Sequence, residues 1–167
     1  MNKDELLTLL VDLDITYKKT EHEPVMTVAE AAAVRGVIPG LACKCLFLRS
    51  KDERLWLAAF PSSMRADLKA LALALRCPRL SFAPEALLQP LLGLKPGAVS
   101  LFGAINDSGR EVTTVLEASL LDAALICLHP LVNTATLSLS PADMIRFLHY
   151  AGHDPRIVRL SVAEVGG

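Results

Sequence analysis

The chain is poor in aromatic residues, with one Trp, two Tyr and five Phe, about 5% of its 167 positions. Its interior must therefore be filled by Leu, Ala and Val rather than by packed rings. It also lacks the cysteine pairing of a zinc site: Cys43, Cys45, Cys77 and Cys127 include no C-x-x-C, and no His stands at ligand spacing from them. No metal and no cofactor are expected. The thiols read as free and buried, which fits a reducing, cytoplasmic setting. No apolar run has spanning length. The longest stretch without Asp, Glu, Lys or Arg, residues 123–142, is broken by His129, Pro130, Asn133, two Thr and two Ser, so a membrane span is not expected. The opening Asn2-Lys3-Asp4-Glu5 does not read as a signal peptide. Nor is charge of one sign concentrated. Lys and Arg number 17 against 18 Asp and Glu; residues 1–83 carry a net +2 and residues 84–167 a net -3. The absence of a basic tail or stripe argues against general binding to duplex or single-stranded nucleic acid, and DNA is not an expected partner. A local contact to one end of an RNA stays open. The phosphate-loop, nucleophile-elbow and zinc-protease signatures are all absent.

What is present is apolar and patterned. Hydrophobic residues make up 52% and the mean hydropathy is +0.40, which excludes disorder. The length suits one domain over residues 1–167. Asn2 and Glu5 form a capping pair ahead of Leu6, Leu7, Leu9, Leu10 and Leu13, predicting a first helix. Ile15 to Thr20 reads as a strand, and Thr27 with Glu30 as the start of a second helix. Cys43 to Arg49 and Leu55 to Phe60 read as a hairpin, and Pro61 as the start of a helix carrying Leu68, Leu71 and Leu75. Further strands are expected at Arg79 to Phe82, Ala98 to Phe102, Val112 to Leu116, Leu125 to Leu128, Asn133 to Leu139 and Ile157 to Val162. A small helix opens at Pro84, and Ser140 with Pro141 opens a last one. The irregular interleaving of about seven strands with about five helices predicts an α+β domain around a mixed, curved sheet.

Three positions stand out. Lys44 alternates onto one strand face with Leu46 and Leu48, while Cys43, Cys45 and Phe47 share the other. An ammonium between two oily faces is costly unless it opens into a cavity or snorkels to water at the strand end. His129 follows an apolar run and precedes Pro130, at the mouth of a strand, where a functional or a purely structural imidazole would both fit. Lys95-Pro96-Gly97 is a turn whose glycine permits close approach of a ligand to the backbone. His22, in a proline loop, and His149 and His153, around the last helix, carry weaker signals.

Four segments in register resemble one family. They are the run from His22-Glu23-Pro24 through Thr27 to Ala31, Lys44 to Arg49, Pro96 to Gly103 with Ile105-Asn106-Asp107, and His129 to Thr136. Together they resemble the YbaK/ProX aminoacyl-tRNA editing family, and within it the free-standing ProX-type branch related to the editing domain of bacterial prolyl-tRNA synthetases. The resemblance implies that family's fold and a metal-independent deacylase releasing alanine from mischarged Ala-tRNA(Pro). It also names mischarged tRNA, and prolyl-tRNA synthetase, as candidate partners. It implies roles for Lys44, Gly97 and His129 at the reacting centre, with Cys45, Ser100, Phe102 and Thr27 around the substrate. Arg49 and Arg79 are candidate tRNA phosphate contacts. Two positions depart from the pattern: Cys45 replaces the branch's usual Asn, and Leu101 replaces the proline that closes the glycine loop. Editing of Ser-, Thr- or Cys-charged tRNA, and a catalytically silent module binding the tRNA acceptor end, are the alternatives.

Overall fold

The computed structural model describes residues 1–24 and 36–160. The helix expected from Thr27 lies outside them. Helix α1 (Lys3–Asp12) begins as its capping pair dictates: Asn2 accepts from the Glu5 amide, and Glu5 reaches back to the Asn2 amide. It buries Leu6 and Leu10. Strand β1 (Lys18–Glu21) starts three residues later than expected, because Ile15 is still tied to the helix end by a bond to the Leu10 carbonyl.

The long strand β2 (Leu41–Ser50) and β3 (Leu55–Pro61) form the antiparallel centre of the sheet, with Lys44 opposite Phe60. Pro61 thus ends a strand rather than starting a helix. Helix α2 (Leu68–Leu75) waits for Asp67, whose carboxylate accepts from the Ala70 amide. Then come β4 (Leu80–Phe82), a short α3 (Leu88–Leu92), β5 (Val112–Glu117), β6 (Ile126–Leu128), β7 (Ala135–Leu139), α4 (Pro141–Tyr150) and β8 (Arg156–Val158). Gly93 ends α3 with φ +64, and a Cβ there would fall 2.6 Å from the Asn106 amide nitrogen.

Among the described residues the sheet has eight strands in the order β1-β7-β6-β2-β3-β5-β8, with β4 also on β2. Parallel and antiparallel pairs are mixed, as expected of the α+β class. One feature of this topology positions the site. Along one edge of β2, β6 pairs in parallel with Leu41 and Ala42 only, and β4 pairs with Leu48 to Ser50 only. Between them, residues 43–47 have no strand partner on that side among the described residues, so the sheet forks.

Two cores lie on opposite faces. Phe47 joins Leu6, Leu10, Phe102, Leu137 and Phe147, with Cys43 and Cys45 packed against them. Leu48 joins Trp56, Phe60, Leu71 and Leu75, with Leu46 packed alongside. The alternation expected for β2 therefore holds, with oily neighbours on both sides of Lys44.

Candidate active site

Two of the singled-out residues stand at the fork in the sheet. Strand β6 runs parallel to β2 with Ile126 opposite Leu41 and Cys127 opposite Ala42. Lys44 and His129 each stand two residues past the last paired position of β2 and β6, where the sheet forks. Lys44 is half-buried, and its Nζ donates to the Met64 carbonyl. No carboxylate pairs with it among the described residues. Burial draws its pKa below the usual lysine range. The site thus holds a cation whose charge is not already neutralised.

His129 is half-buried and donates from Nδ1 to the Ala135 carbonyl, 3.0 Å away. A carbonyl can only accept, so the proton of the neutral ring sits on Nδ1 and Nε2 keeps its lone pair. Burial lowers the pKa of this imidazole, the Ala135 carbonyl partly opposes that, and the charge of His22 lowers it further. The net direction is downward, so His129 is neutral at pH 7.

The segment 129–134 between β6 and β7 is the hub of the site. Leu131 within it has φ +69, a left-handed conformation costing a non-glycine residue about 1–2 kcal/mol. Gly97 is exposed with φ +87, in a turn closed by the Ala98 amide on the Lys95 carbonyl at 3.1 Å. A Cβ on Gly97 would meet only Asn133, at 3.9 Å from its amide nitrogen. The glycine turn therefore faces the loop that carries His129.

His22 closes the same loop from the other side. Its backbone N–H donates to the Thr134 carbonyl at 2.9 Å, and Nδ1 donates to the Glu23 carbonyl at 2.9 Å. Nε2 bonds the Thr136 hydroxyl at 2.9 Å. The ring centroid lies 6.2 Å from that of His129, tilted by 58°. An open cleft of about 560 Å³ is lined, among the described residues, by Lys3, Glu21, His22, Glu23 and Thr134.

The other expected site residues fall elsewhere. Cys45 faces the first core, and burial pushes its thiol up to about 12 against the opposing pull of the Leu101 amide, so it is no thiolate nucleophile at neutral pH. Ser100 and Phe102 are fully buried. The strand expected at 98–102 is instead a 3-10 helix, Leu101–Asn106, because the Ser100 hydroxyl accepts from the Phe102 amide at 3.3 Å and starts a turn. Phe102 packs edge-on against Phe147 at 5.2 Å in the core. Both side chains are committed to the fold and present no surface to a substrate. Arg49 and Arg79 lie towards the far end of β2: Arg49 pairs with Ser81, and the Arg79 carbonyl accepts from Lys51. Five residues of strand, about 17 Å, separate Arg49 from Lys44. Thr27 lies outside the described residues. Among those described, no group of three or more His, Cys, Asp or Glu is placed to hold a metal ion, and no helix is long and apolar enough to cross a membrane.

A lone-pair nitrogen at the start of the loop, an exposed glycine turn facing it, and an ammonium with no carboxylate partner among the described residues suit hydrolysis of an activated acyl bond. The sequence profile of the aminoacyl-tRNA editing domain matches residues 22–147, a span that starts at His22 and includes Lys44, Gly97 and His129. The chain belongs to the aminoacyl-tRNA editing family. It is 33% identical to the prolyl-tRNA editing protein ProX of Acetoanaerobium sticklandii, across 95% of this chain and 97% of that one. It is 34% identical to prolyl-tRNA synthetase associated domain-containing protein 1 of Danio rerio, across 93% and 86%. Two solved structures share the fold. One, a hypothetical protein, superimposes with a TM-score of 0.72 at 20% identity over 94% of this chain and 99% of the other. The second, assigned provisionally as a trans-editing enzyme for prolyl tRNA synthetase, gives 0.70 at 16% identity over 96% and 99%.

Editing detaches an amino acid from tRNA, so the chain's family makes it an aminoacyl-tRNA deacylase, a carboxylic ester hydrolase. Two residues around this loop escape a reading of spacing alone. Asn133 stands in the segment from His129 to Thr136 that carries the resemblance but breaks no pattern of its own. His22 looks like an ordinary loop histidine until β1 is seen to pair with β7, which puts it against the loop of His129.

Proposed function

We propose that the protein is a trans-editing deacylase of Ala-tRNA(Pro), acting as one editing domain over residues 1–167 in the cytoplasm. The observation that supports the reading is the loop from His129 to Thr134: Gly97 faces it, and Lys44, like His129, stands two residues past the paired stretch of β2 and β6. The names of the relatives support prolyl-tRNA as the nucleic acid.

The need for such an enzyme is physical. A synthetase pocket built for proline discriminates weakly against the smaller alanine, since a missing methylene is worth only about 1–3 kcal/mol. A second pocket that admits alanine and refuses proline by size removes the error. In the reaction a water attacks the ester carbonyl carbon, and the lone pair on His129 Nε2 accepts the water's proton. The Lys44 ammonium stabilises the negative oxygen of the tetrahedral intermediate. As the intermediate collapses, the bond to the terminal ribose oxygen breaks and the proton on His129 passes to that oxygen. Alanine and free tRNA leave. The Gly97 turn, with no side chain, lets the ribose approach the backbone. Cys45, behind the strand, supports the 3-10 turn through the Leu101 amide, and Arg49 and Arg79 hold phosphates farther down the tRNA.

The test is a panel of tRNAs charged with labelled alanine, proline, serine, threonine or cysteine. Rapid release of alanine from tRNA(Pro), with proline left in place, is the expected result. Selective release of serine, threonine or cysteine would replace the alanine assignment, and binding without any release would overturn the enzymatic reading.

A further inference from the structure

The described part of the molecule holds one more imidazole close to His129, with two of its bonds directed at the element that orients it. His22 is bonded to residues on both sides of Ala135: its backbone N–H to the Thr134 carbonyl and its Nε2 to the Thr136 hydroxyl, each at 2.9 Å. Ala135 is the residue whose carbonyl takes the Nδ1 proton of His129. Ala135 and Thr136 are buried, and they sit in β7 opposite Glu21 and Thr20 of β1, the strand that leads into His22. His22 is itself held by its Nδ1 bond to the Glu23 carbonyl at 2.9 Å, so the ring cannot turn without losing two bonds.

We propose that His22 is a positioning residue for His129, bracing the Thr134–Thr136 segment so that the Ala135 carbonyl keeps the proton of His129 on Nδ1 and its Nε2 lone pair available to water. The role of Nε2 as a base rests on the editing reading above; the bracing does not. Without the His22 side chain, Thr136 loses its partner, the Ala135 carbonyl is no longer held from both sides, and His129 exchanges between its two tautomers. A ring protonated on Nε2 has no lone pair there and cannot take a proton from water. The two rings also interact through charge, since at a centroid separation of 6.2 Å a proton on one opposes a proton on the other. The other titratable groups facing His22 are Lys3 of α1, Glu21 of β1 and Glu23. Lys3 adds to that repulsion and the two carboxylates oppose it, with Glu21 already paired to Lys19 at 3.3 Å.

The experiment uses the full chain with wild type, His22→Ala and His22→Gln. Gln places an amide near the position of Nε2 and restores the bond to Thr136 without a titrating ring. Thermal unfolding confirms that each variant is folded. Long-range proton–nitrogen NMR of the histidine rings then reads the His129 tautomer without reference to activity. The expected result is a single Nδ1–H form in wild type and in His22→Gln, and a mixture in His22→Ala. Deacylation of Ala-tRNA(Pro) is expected to show kcat reduced about tenfold to a hundredfold in His22→Ala, with KM little changed and substantial recovery in His22→Gln. The acid limb of the His22→Gln pH profile should move to higher pH, because His129 has lost a repelling neighbour. A His129 tautomer unchanged in His22→Ala overturns the proposal. Absence of turnover by wild type together with the tautomer change would overturn the editing reading while supporting the bracing.

Discussion

Replacing Lys44 with Met separates what this residue does for the fold from what it does for the reaction. Lys44 sits in a strand with Leu46 and Leu48 beside it and Phe60 opposite, and its one described side-chain bond is from Nζ to the Met64 carbonyl. Losing a bond between a charged donor and a carbonyl costs about 1.5–3 kcal/mol. Relief of the ammonium's desolvation works the other way, and Met keeps nearly the same volume against the apolar neighbours. The two terms nearly cancel, so Lys44→Met should unfold within about 4 °C of wild type, since 1 kcal/mol moves Tm by about 2–4 °C at this size. The reaction has no such compensation. Removing one preorganised donor to a developing oxyanion costs about 10²–10³ in rate. The assay is single-turnover release of labelled alanine from Ala-tRNA(Pro), alongside a thermal melt of the same preparation. A variant within threefold of wild type in rate refutes the role given to Lys44. A fall in Tm of more than about 10 °C shows that its cation serves the fold instead.

Three other expectations follow from named groups. The lowered pKa of His129 places the loss of activity below pH 6.5: kcat/KM should be level through neutrality and fall as acid protonates Nε2, and His129→Gln should lose that limb along with most of the rate, measured by a pH series. Glu117 is buried; burial pushes its pKa up, but bonds from the Ser119 hydroxyl, the Leu160 and Ser119 amides and the charge of Arg159 outweigh that and leave it lowered. A lowered folded-state value contributes stability that is present above the unfolded carboxylate pKa, near 4.5, and lost as pH falls through the folded one. Urea midpoints should therefore drop below that pH in wild type and less steeply in Glu117→Gln, which should cost about 1–3 kcal/mol at pH 7. Phe102→Leu should destabilise by about 1–2 kcal/mol, through lost contact with Phe147, and leave the preference for alanine over proline unchanged. An altered preference would return Phe102 to the substrate pocket.

Local signals carried much of the fold. The Asn2–Glu5 capping box, Ser140 with Pro141, and the alternation through β2 each depend on atoms a few residues apart, and each appears as expected. The errors came where a side chain competes with a pattern. Ser100 turns an apolar run that reads as a strand into a 3-10 helix, and Asp67 delays α2 by seven residues past Pro61. Lys44, Gly97 and His129 were visible as oddities because each breaks the pattern around it. Only the family resemblance joined them; their spacing did not, because the strands that carry Lys44 and lead to His129 meet in parallel across more than eighty residues of chain. His22 was harder still. It heads a segment that carries the family resemblance, but its contacts with the His129 loop come only from the pairing of β1 with β7.

The central claim is that Lys44, Gly97 and His129 face one aminoacyl ester. It is tested most directly by a crystal structure with an adenosine carrying alanine through a non-hydrolysable amide in place of the ester. The amide oxygen should lie within hydrogen-bond distance of Lys44 Nζ, the ribose should lie against the Gly97 turn, and His129 Nε2 should face the carbonyl carbon through a water. An analogue seated along Arg49 and Arg79, with the loop from His129 to Thr134 vacant, would contradict the account.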